Sequence, residues 1–169
     1  MTEVTYSFTQ SAHELLNRAL IQRQCNAELQ YGKNEKPYLK SGELFFNLSH
    51  SGNLSVCAIS DTEIGVDCEK VSPAKPHVLQ AVFNELEQEK AKSDKSFTEI
   101  WTKKESVVKY YGGTIWADGK RTAIIFPKNA LFHGLLCRAN VFTLSVTDGG
   151  DEYALSIATE DEDYVIQQI

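Results

Sequence analysis

The run Ile64-Gly65-Val66-Asp67-Cys68-Glu69 constrains this chain more than any other. It alternates strictly, and successive side chains of a strand point to opposite faces. Ile64, Val66 and Cys68 therefore line one face, and Gly65, Asp67 and Glu69 the other. The apolar face needs a core to cover it. The other face carries two carboxylates whose backbones stand about 7 Å apart, close enough to contribute to one hard cation directly or through water. Gly65 on that face leaves room for a ligand. Taken alone, the same alternation also describes a solvated edge strand.

The rest of the chain can supply the core. Its 169 residues fit one domain, and 42% hydrophobic against 24% charged residues is ordinary globular usage, which needs no metal or disulfide staple. Seventeen Lys+Arg against twenty-three Asp+Glu give a net charge of -6, the wrong sign for a general nucleic-acid binder. The acidity is local: after Arg138 there are seven acids and no Lys or Arg. Cys25, Cys57, Cys68 and Cys137 lie far apart with no C-x-x-C pair, so reduced thiols in the cytoplasm are expected rather than zinc or disulfides. No apolar run approaches the length of a membrane span, about 18 residues, and no secretory signal pattern opens the chain.

Ser11-Ala-His-Glu14 is a capping box followed by Ala12, Leu15, Leu16, Ala19 and Leu20 at helical spacing, which predicts a helix from 11 to the high twenties as the start of the folded part. Residues 31–42, broken by Gly32, Pro37 and Gly42, read as a loop. Leu44–Leu48, Leu54–Ser60 and Ile64–Glu69 read as a small antiparallel meander. A helix is expected from His77 to Lys92 and another from Ser96 to Tyr111, stopped by Gly112-Gly113. Strands around Ala123–Phe126, Val141–Thr147 and Tyr153–Thr159 follow. The order helix-then-hairpin occurs twice, and Phe46-Asn-Leu-Ser49 is echoed by Phe142-Thr-Leu-Ser145. The expected architecture is α+β in one domain, two similar lobes of about 1–72 and 73–169 related by a pseudo-twofold, each a helix on a small antiparallel sheet.

Two further segments carry chemistry. On the second long helix Lys104 falls inside the stripe Phe97, Ile100, Trp101, Val108 and Tyr111, and a lysine is almost never buried without a partner, so its amine should reach an anion or a cleft. Glu105 and Lys109 stand one turn apart at the stripe's edge, where a surface ion pair is the simpler account. Asn47-Leu-Ser49-His50-Ser51-Gly52 gathers two hydroxyls, an imidazole and a glycine at a strand end, a setting that suits a phosphate or a plain hairpin turn. No G-x-S-x-G elbow surrounds either serine, which disfavours a Ser-His nucleophile.

Taken in order, Lys36-Pro37, Phe46-Asn-Leu-Ser-His-Ser-Gly52, Ile64-Gly-Val-Asp-Cys-Glu-Lys70 and Trp101-Thr-Lys-Lys-Glu-Ser-Val-Val-Lys109 resemble the 4'-phosphopantetheinyl transferases of the Sfp type. The likeness is close over Ser11 to Gly112 and general beyond it. It implies two α+β lobes with an active site between them, and an enzyme that moves the phosphopantetheine arm of coenzyme A onto a serine of an acyl or peptidyl carrier protein, releasing adenosine 3',5'-bisphosphate. It further implies Mg²⁺, or Mn²⁺ in its place, held by Asp67, Glu69 and Glu105 with substrate phosphate oxygens.

In the roles the resemblance implies, Glu105 takes the serine proton and Lys109 neutralises the departing phosphate. Lys104 points toward the pyrophosphate, and Lys36, Ser49 and His50 grip the 3'-phosphate of coenzyme A. An acidic helix of the carrier meets a basic or apolar patch for which Lys90, Lys92 and Lys95 are candidates. Relatives carry an extra stretch before the first matched helix and commonly an arginine where this chain has Glu14, so weaker coenzyme A binding is expected. A monomer is expected, with no nucleic-acid or membrane partner. The competing functions are a non-catalytic coenzyme A or carrier-protein binding module and an unrelated Mg²⁺-dependent phosphohydrolase.

Overall fold

A computed structural model describes residues 1–26, 28–32, 37–40 and 42–169. In chain order its elements are β1 (Thr2–Ser7), α1 (Ala12–Gln22), β2 (Leu29–Tyr31), β3 (Pro37–Leu39), β4 (Phe45–Ser51), β5 (Leu54–Ser60) and β6 (Ile64–Lys70). These are followed by α2 (Pro76–Val82), α3 (Glu85–Lys90), α4 (Asp94–Tyr110) and α5 (Ile115–Asp118). The chain ends in β7 (Thr122–Ile125), β8 (Asn129–Phe132), β9 (Leu135–Leu136), β10 (Asn140–Asp148), β11 (Asp151–Thr159) and β12 (Tyr164–Gln168). No helix among the described residues is long and apolar enough to cross a membrane.

The architecture is α+β, with a helix laid on the outer face of each of two sheets. The first sheet runs β12-β1-β5-β4 and the second β10-β11-β6. On the first, α1 buries Leu15, Leu16, Ala19 and Leu20 against Phe46, Cys57 and Ile59. The opposite sides of the same strands, Val4, Leu54, Val56 and Ala58, pack on Ile64, Val66, Cys68, Leu155 and Ile157 of the second sheet. Each such apolar side chain removed from water contributes about 1.5–3 kcal/mol, so this sheet-on-sheet core dominates the fold. The far face of the second sheet is covered by α4 through Val107 and Tyr110, which pack against Val141 and Ala158.

The expected repeat is visible as α1 on the β4–β5 hairpin and α4 on the β10–β11 hairpin. The strand after each hairpin then crosses over: β6 pairs with β11, and β12 pairs with β1 in parallel. This corrects the meander, since β6 leaves β5 to become the edge of the second sheet. The first sheet is mixed rather than wholly antiparallel for the same reason.

Other expectations need adjustment. Thr2–Ser7 already forms a strand between β12 and β5, ahead of the helix expected to begin the fold. The Ser11–Glu14 capping box is present, but α1 ends at Gln22 because Ile21 is already 76% exposed and Gln24 turns into the left-handed region (φ 52°). The stretch read as a loop contains β3, which pairs with β2 at its leading edge.

The helix expected over 77–92 is two helices. Phe83 leaves helical geometry at ψ 140° to stack on Phe97 in the core, and Asn84 starts α3 with a second capping box closed by Glu87. The element α5 and the strands β8, β9 and β12, too short or too irregular in pattern to read, complete the second half.

Candidate active site

The site begins at Gly65. A Cβ there would lie 2.0 Å from the Ser106 carbonyl oxygen and 2.6 Å from the Tyr110 nitrogen, so only glycine lets α4 lie directly on β6. The room expected for a ligand is filled by helix backbone. The close crossing sets the face of β6 that carries Asp67 and Glu69 against the turn of α4 that carries Glu105 and Lys109.

On the other side β6 has no backbone strand partner among the described residues, and side chains of β4 take that place. The amides of Val66, Cys68 and Lys70 donate to Asn47 Oδ1 at 2.9 Å, Ser49 Oγ at 3.2 Å and Ser51 Oγ at 3.1 Å. Every second residue of β4 thus satisfies every second amide of β6, as two facing strands of period two permit. Ser49 Oγ also donates to Asp67 Oδ1 at 2.9 Å, and Ser51 Oγ donates to Glu69 Oε2 at 2.7 Å.

Lys109 reaches across from α4 and donates to Asp67 Oδ1 at 2.7 Å and to the Val66 carbonyl at 3.2 Å. Its cation therefore serves β6 rather than a surface pair with Glu105. Burial raises the carboxyl of Asp67 above its usual range, against the pull of Lys109. Glu69 is raised by burial and by Asp67, against the hydrogen bond from Ser51. The Glu105 carboxyl is pushed up to about 7, first by burial and then by the negative charge of Asp67 and of Glu69. Three acids raised first by burial, two of them also by the charge of Asp67, with a lysine partly offsetting them, mark a place prepared for positive charge.

The donor set suits a hard divalent cation, being all carboxylate oxygen. Asp67 Oδ2 is buried and has no hydrogen-bond partner among the described residues, a cost that a bound cation would relieve. No three acidic, His or Cys groups among the described residues stand close enough to cage an ion by themselves. Asp67, Glu69 and Glu105 would thus hold a cation only together with oxygens from a ligand.

A cleft of about 190 Å³ opens beside Glu69, walled by Val78, Phe97, Trp101 and Trp116 and edged by Lys70 and Lys75. Trp101 and Trp116 meet edge to face at 6.2 Å between ring centres. Polar and cationic groups on one rim with aromatic walls below form a setting for an extended, anionic-headed ligand.

The structure brings together Asp67, Glu69, Glu105, Lys109 and Ser49, but not every expected residue. Lys104 is corrected. Its amine is fully buried, 2.6 Å from Glu87 Oε2 and hydrogen-bonded to the Thr122 carbonyl, so the anion it reaches belongs to α3 and not to a ligand. Helical geometry explains the divergence, because neighbours on α4 point about 100° apart and Glu105 already faces β6. Burial pulls the Lys104 ammonium below its usual range, against the attraction of Glu87.

His50 is exposed and alternates to the face of β4 opposite Ser49, so these two side chains do not converge. Lys36 lies outside the described residues. Of the basic docking candidates, Lys90 sits over the ring of Phe126 at 4.8 Å and Lys95 pairs with Glu152.

Sequence reasoning missed Ser51 as a partner of Glu69, although the alternation Asn47, Ser49, Ser51 on a strand beside an acid-bearing strand was signal enough. It also missed Lys75, which attracts Glu69 and stands in an irregular segment with no periodicity to mark it.

The family model for the 4'-phosphopantetheinyl transferase superfamily matches residues 63–166, which include all four of Asp67, Glu69, Glu105 and Lys109. The chain is 32% identical over 149 residues to the 4'-phosphopantetheinyl transferase gsp of Aneurinibacillus migulanus, covering 73% of this chain and 62% of that protein. It is 37% identical over 114 residues to the 4'-phosphopantetheinyl transferase AcpT of Salmonella typhimurium, covering 60% of this chain and 59% of the relative. With the 4'-phosphopantetheinyl transferase Sfp of Bacillus subtilis it shares 30% over 113 residues, 59% of this chain and 50% of that one. The matches thus span between half and about three-fifths of these relatives' length. The acids of β6 and α4, the fold that sets them face to face and these matches lead to one assignment: the chain belongs to the 4'-phosphopantetheinyl transferase superfamily.

Proposed function

We propose that this chain transfers the 4'-phosphopantetheine arm of coenzyme A to a serine of an apo acyl or peptidyl carrier protein, releasing adenosine 3',5'-bisphosphate. The observation that carries the reading is the meeting of Asp67 and Glu69 on β6 with Glu105 and Lys109 on α4, where Lys109 grips Asp67 Oδ1 at 2.7 Å and Asp67 Oδ2 lies buried with no hydrogen-bond partner among the described residues. In this reading the lobes of about 1–72 and 73–169 enclose the site, and the protein works as a cytoplasmic monomer.

Asp67, Glu69 and Glu105 would hold Mg²⁺, or Mn²⁺, together with pyrophosphate oxygens of coenzyme A. A cation held there would supply charge neutralisation on the pyrophosphate. A carboxylate oxygen of Glu105 would accept the proton of the attacking serine hydroxyl, directly or through water. The serine oxygen bonds to the phosphorus bearing the pantetheine arm, the bridging P–O bond breaks, and the proton passes to Glu105. Lys109, raised by its acidic neighbours against the opposing effect of burial, stays cationic and offsets charge on the departing phosphate. The aromatic cleft beside Glu69 would receive the arm, with Lys70 and Lys75 at its mouth.

A non-catalytic binding module is not favoured. A buried Asp67 with half-buried Glu69 and Glu105 beside it weakens the fold, and Glu105 as acceptor of the serine proton gives that cluster a use that binding alone does not. The test is the intact mass of an apo carrier protein incubated with this chain, coenzyme A and Mg²⁺, beside an EDTA control and a Glu105→Ala variant. A gain of one phosphopantetheine arm, absent from both controls, is expected. No gain with several different carriers and a folded sample overturns the reading.

A further inference from the structure

We propose that Ser51 is a positioning residue for Glu69, the outer member of a hydroxyl ladder by which β4 aims the acids of β6 at the bound cation. The inference rests on the cation-dependent transfer proposed above.

The ladder has a repeating logic. Ser49 Oγ accepts the amide of Cys68 at 3.2 Å and donates to Asp67 Oδ1 at 2.9 Å. Ser51 Oγ accepts the amide of Lys70 at 3.1 Å and donates to Glu69 Oε2 at 2.7 Å. A hydroxyl has one proton, and each amide claims an oxygen lone pair, so the proton is directed onto the neighbouring carboxylate. Two serines two residues apart on β4 thereby address two acids two residues apart on β6. Any slip of one strand against the other would break both pairs at once.

Glu69 needs this more than Asp67 does. Asp67 is short, buried and also gripped by Lys109. Glu69 has an extra rotatable bond, is only half-buried and feels the attraction of Lys75 across the cleft. Without Ser51 the carboxylate is free to swing toward that lysine and away from Asp67 and Glu105. Groups that orient a metal-ligating carboxylate through a hydrogen bond commonly govern 10- to 100-fold in metal affinity (order of magnitude).

The experiment is calorimetric titration of Mn²⁺ into the full chain with coenzyme A present, for wild type, Ser51→Ala and Ser51→Thr, with thermal unfolding of each as a check of folding. Ser51→Ala should weaken Mn²⁺ binding about 10-fold or more, and Ser51→Thr, which keeps the hydroxyl, should restore most of it. In the transfer assay the Mg²⁺ concentration for half-maximal rate should rise in Ser51→Ala, while the rate at saturating Mg²⁺ falls much less. Affinities of Ser51→Ala and wild type within twofold would overturn the inference and leave the transferase reading standing. So would a Ser51→Thr variant as weak as Ser51→Ala, since the hydroxyl would then not be the cause. Failure of the wild type to bind Mn²⁺ removes the transferase reading itself, and this inference with it.

Discussion

Gly65 and Ser106 touch backbone to backbone: a Cβ on Gly65 would stand 2.0 Å from the Ser106 carbonyl oxygen. That single contact sets how far Glu105 and Lys109 lie from Asp67 and Glu69, because it fixes the separation of α4 from β6. Gly65→Ala should push the helix away at a cost of about 3 kcal/mol, the upper end for overpacked cores. Denaturant unfolding measures it, and a variant as stable as wild type would contradict the contact.

The pair Lys104–Glu87 is the other constraint on α4. Both side chains are fully buried, and Glu87 also accepts the amides of Asn84 and Ile124. Lys104→Met strands the carboxylate and should cost about 3–5 kcal/mol. Replacing both partners, Lys104→Met with Glu87→Leu, should cost less in Coulomb terms but leaves the two amides unpaired. A double-mutant cycle in urea therefore expects a favourable coupling, and additive losses would rule the buried pair out as a stabilising unit.

Glu105 gives the fold a pH dependence. Its folded pKa of about 7 exceeds the ordinary 4.5, so the folded state binds the extra proton. Its contribution to stability is fully present below pH 4.5 and is lost as pH rises through 7, a change of at most about 3 kcal/mol. In EDTA, Glu105→Gln should unfold at a higher temperature than wild type at pH 8 and show little difference at pH 4.5. An equal effect at both values would refute the assignment.

The two tryptophans of the chain, Trp101 and Trp116, both wall the cleft beside Glu69. Occupancy of that cleft should therefore change the intrinsic fluorescence with no interfering signal from elsewhere. Titration with coenzyme A and Mg²⁺ should give a saturable change that Trp116→Phe reduces. A flat titration under conditions where transfer proceeds would place the arm in another part of the molecule.

The alternation in Ile64–Glu69 determined by itself which acids share a face, because strand geometry has a fixed period of two and needs no partner to be read. Capping chemistry likewise marked the start of α1 at Ser11, a local exchange of hydrogen bonds within four residues. The pattern around Lys104 showed that its amine must meet an anion, yet not which one. Only the tertiary structure decided that it is Glu87, because α3 begins where Phe83 turns into the core and carries the acid there. The same holds for β6: its sequence demanded a strand, but the exchange of β6 and β12 between the halves depends on which surfaces bury together. The site itself is divided in the same way. The acids were legible as local pattern, whereas the hydroxyls that orient them belong to a strand eighteen residues earlier (Ser49 beside Asp67 and Ser51 beside Glu69), and contacts at that separation are set by packing rather than by any local preference.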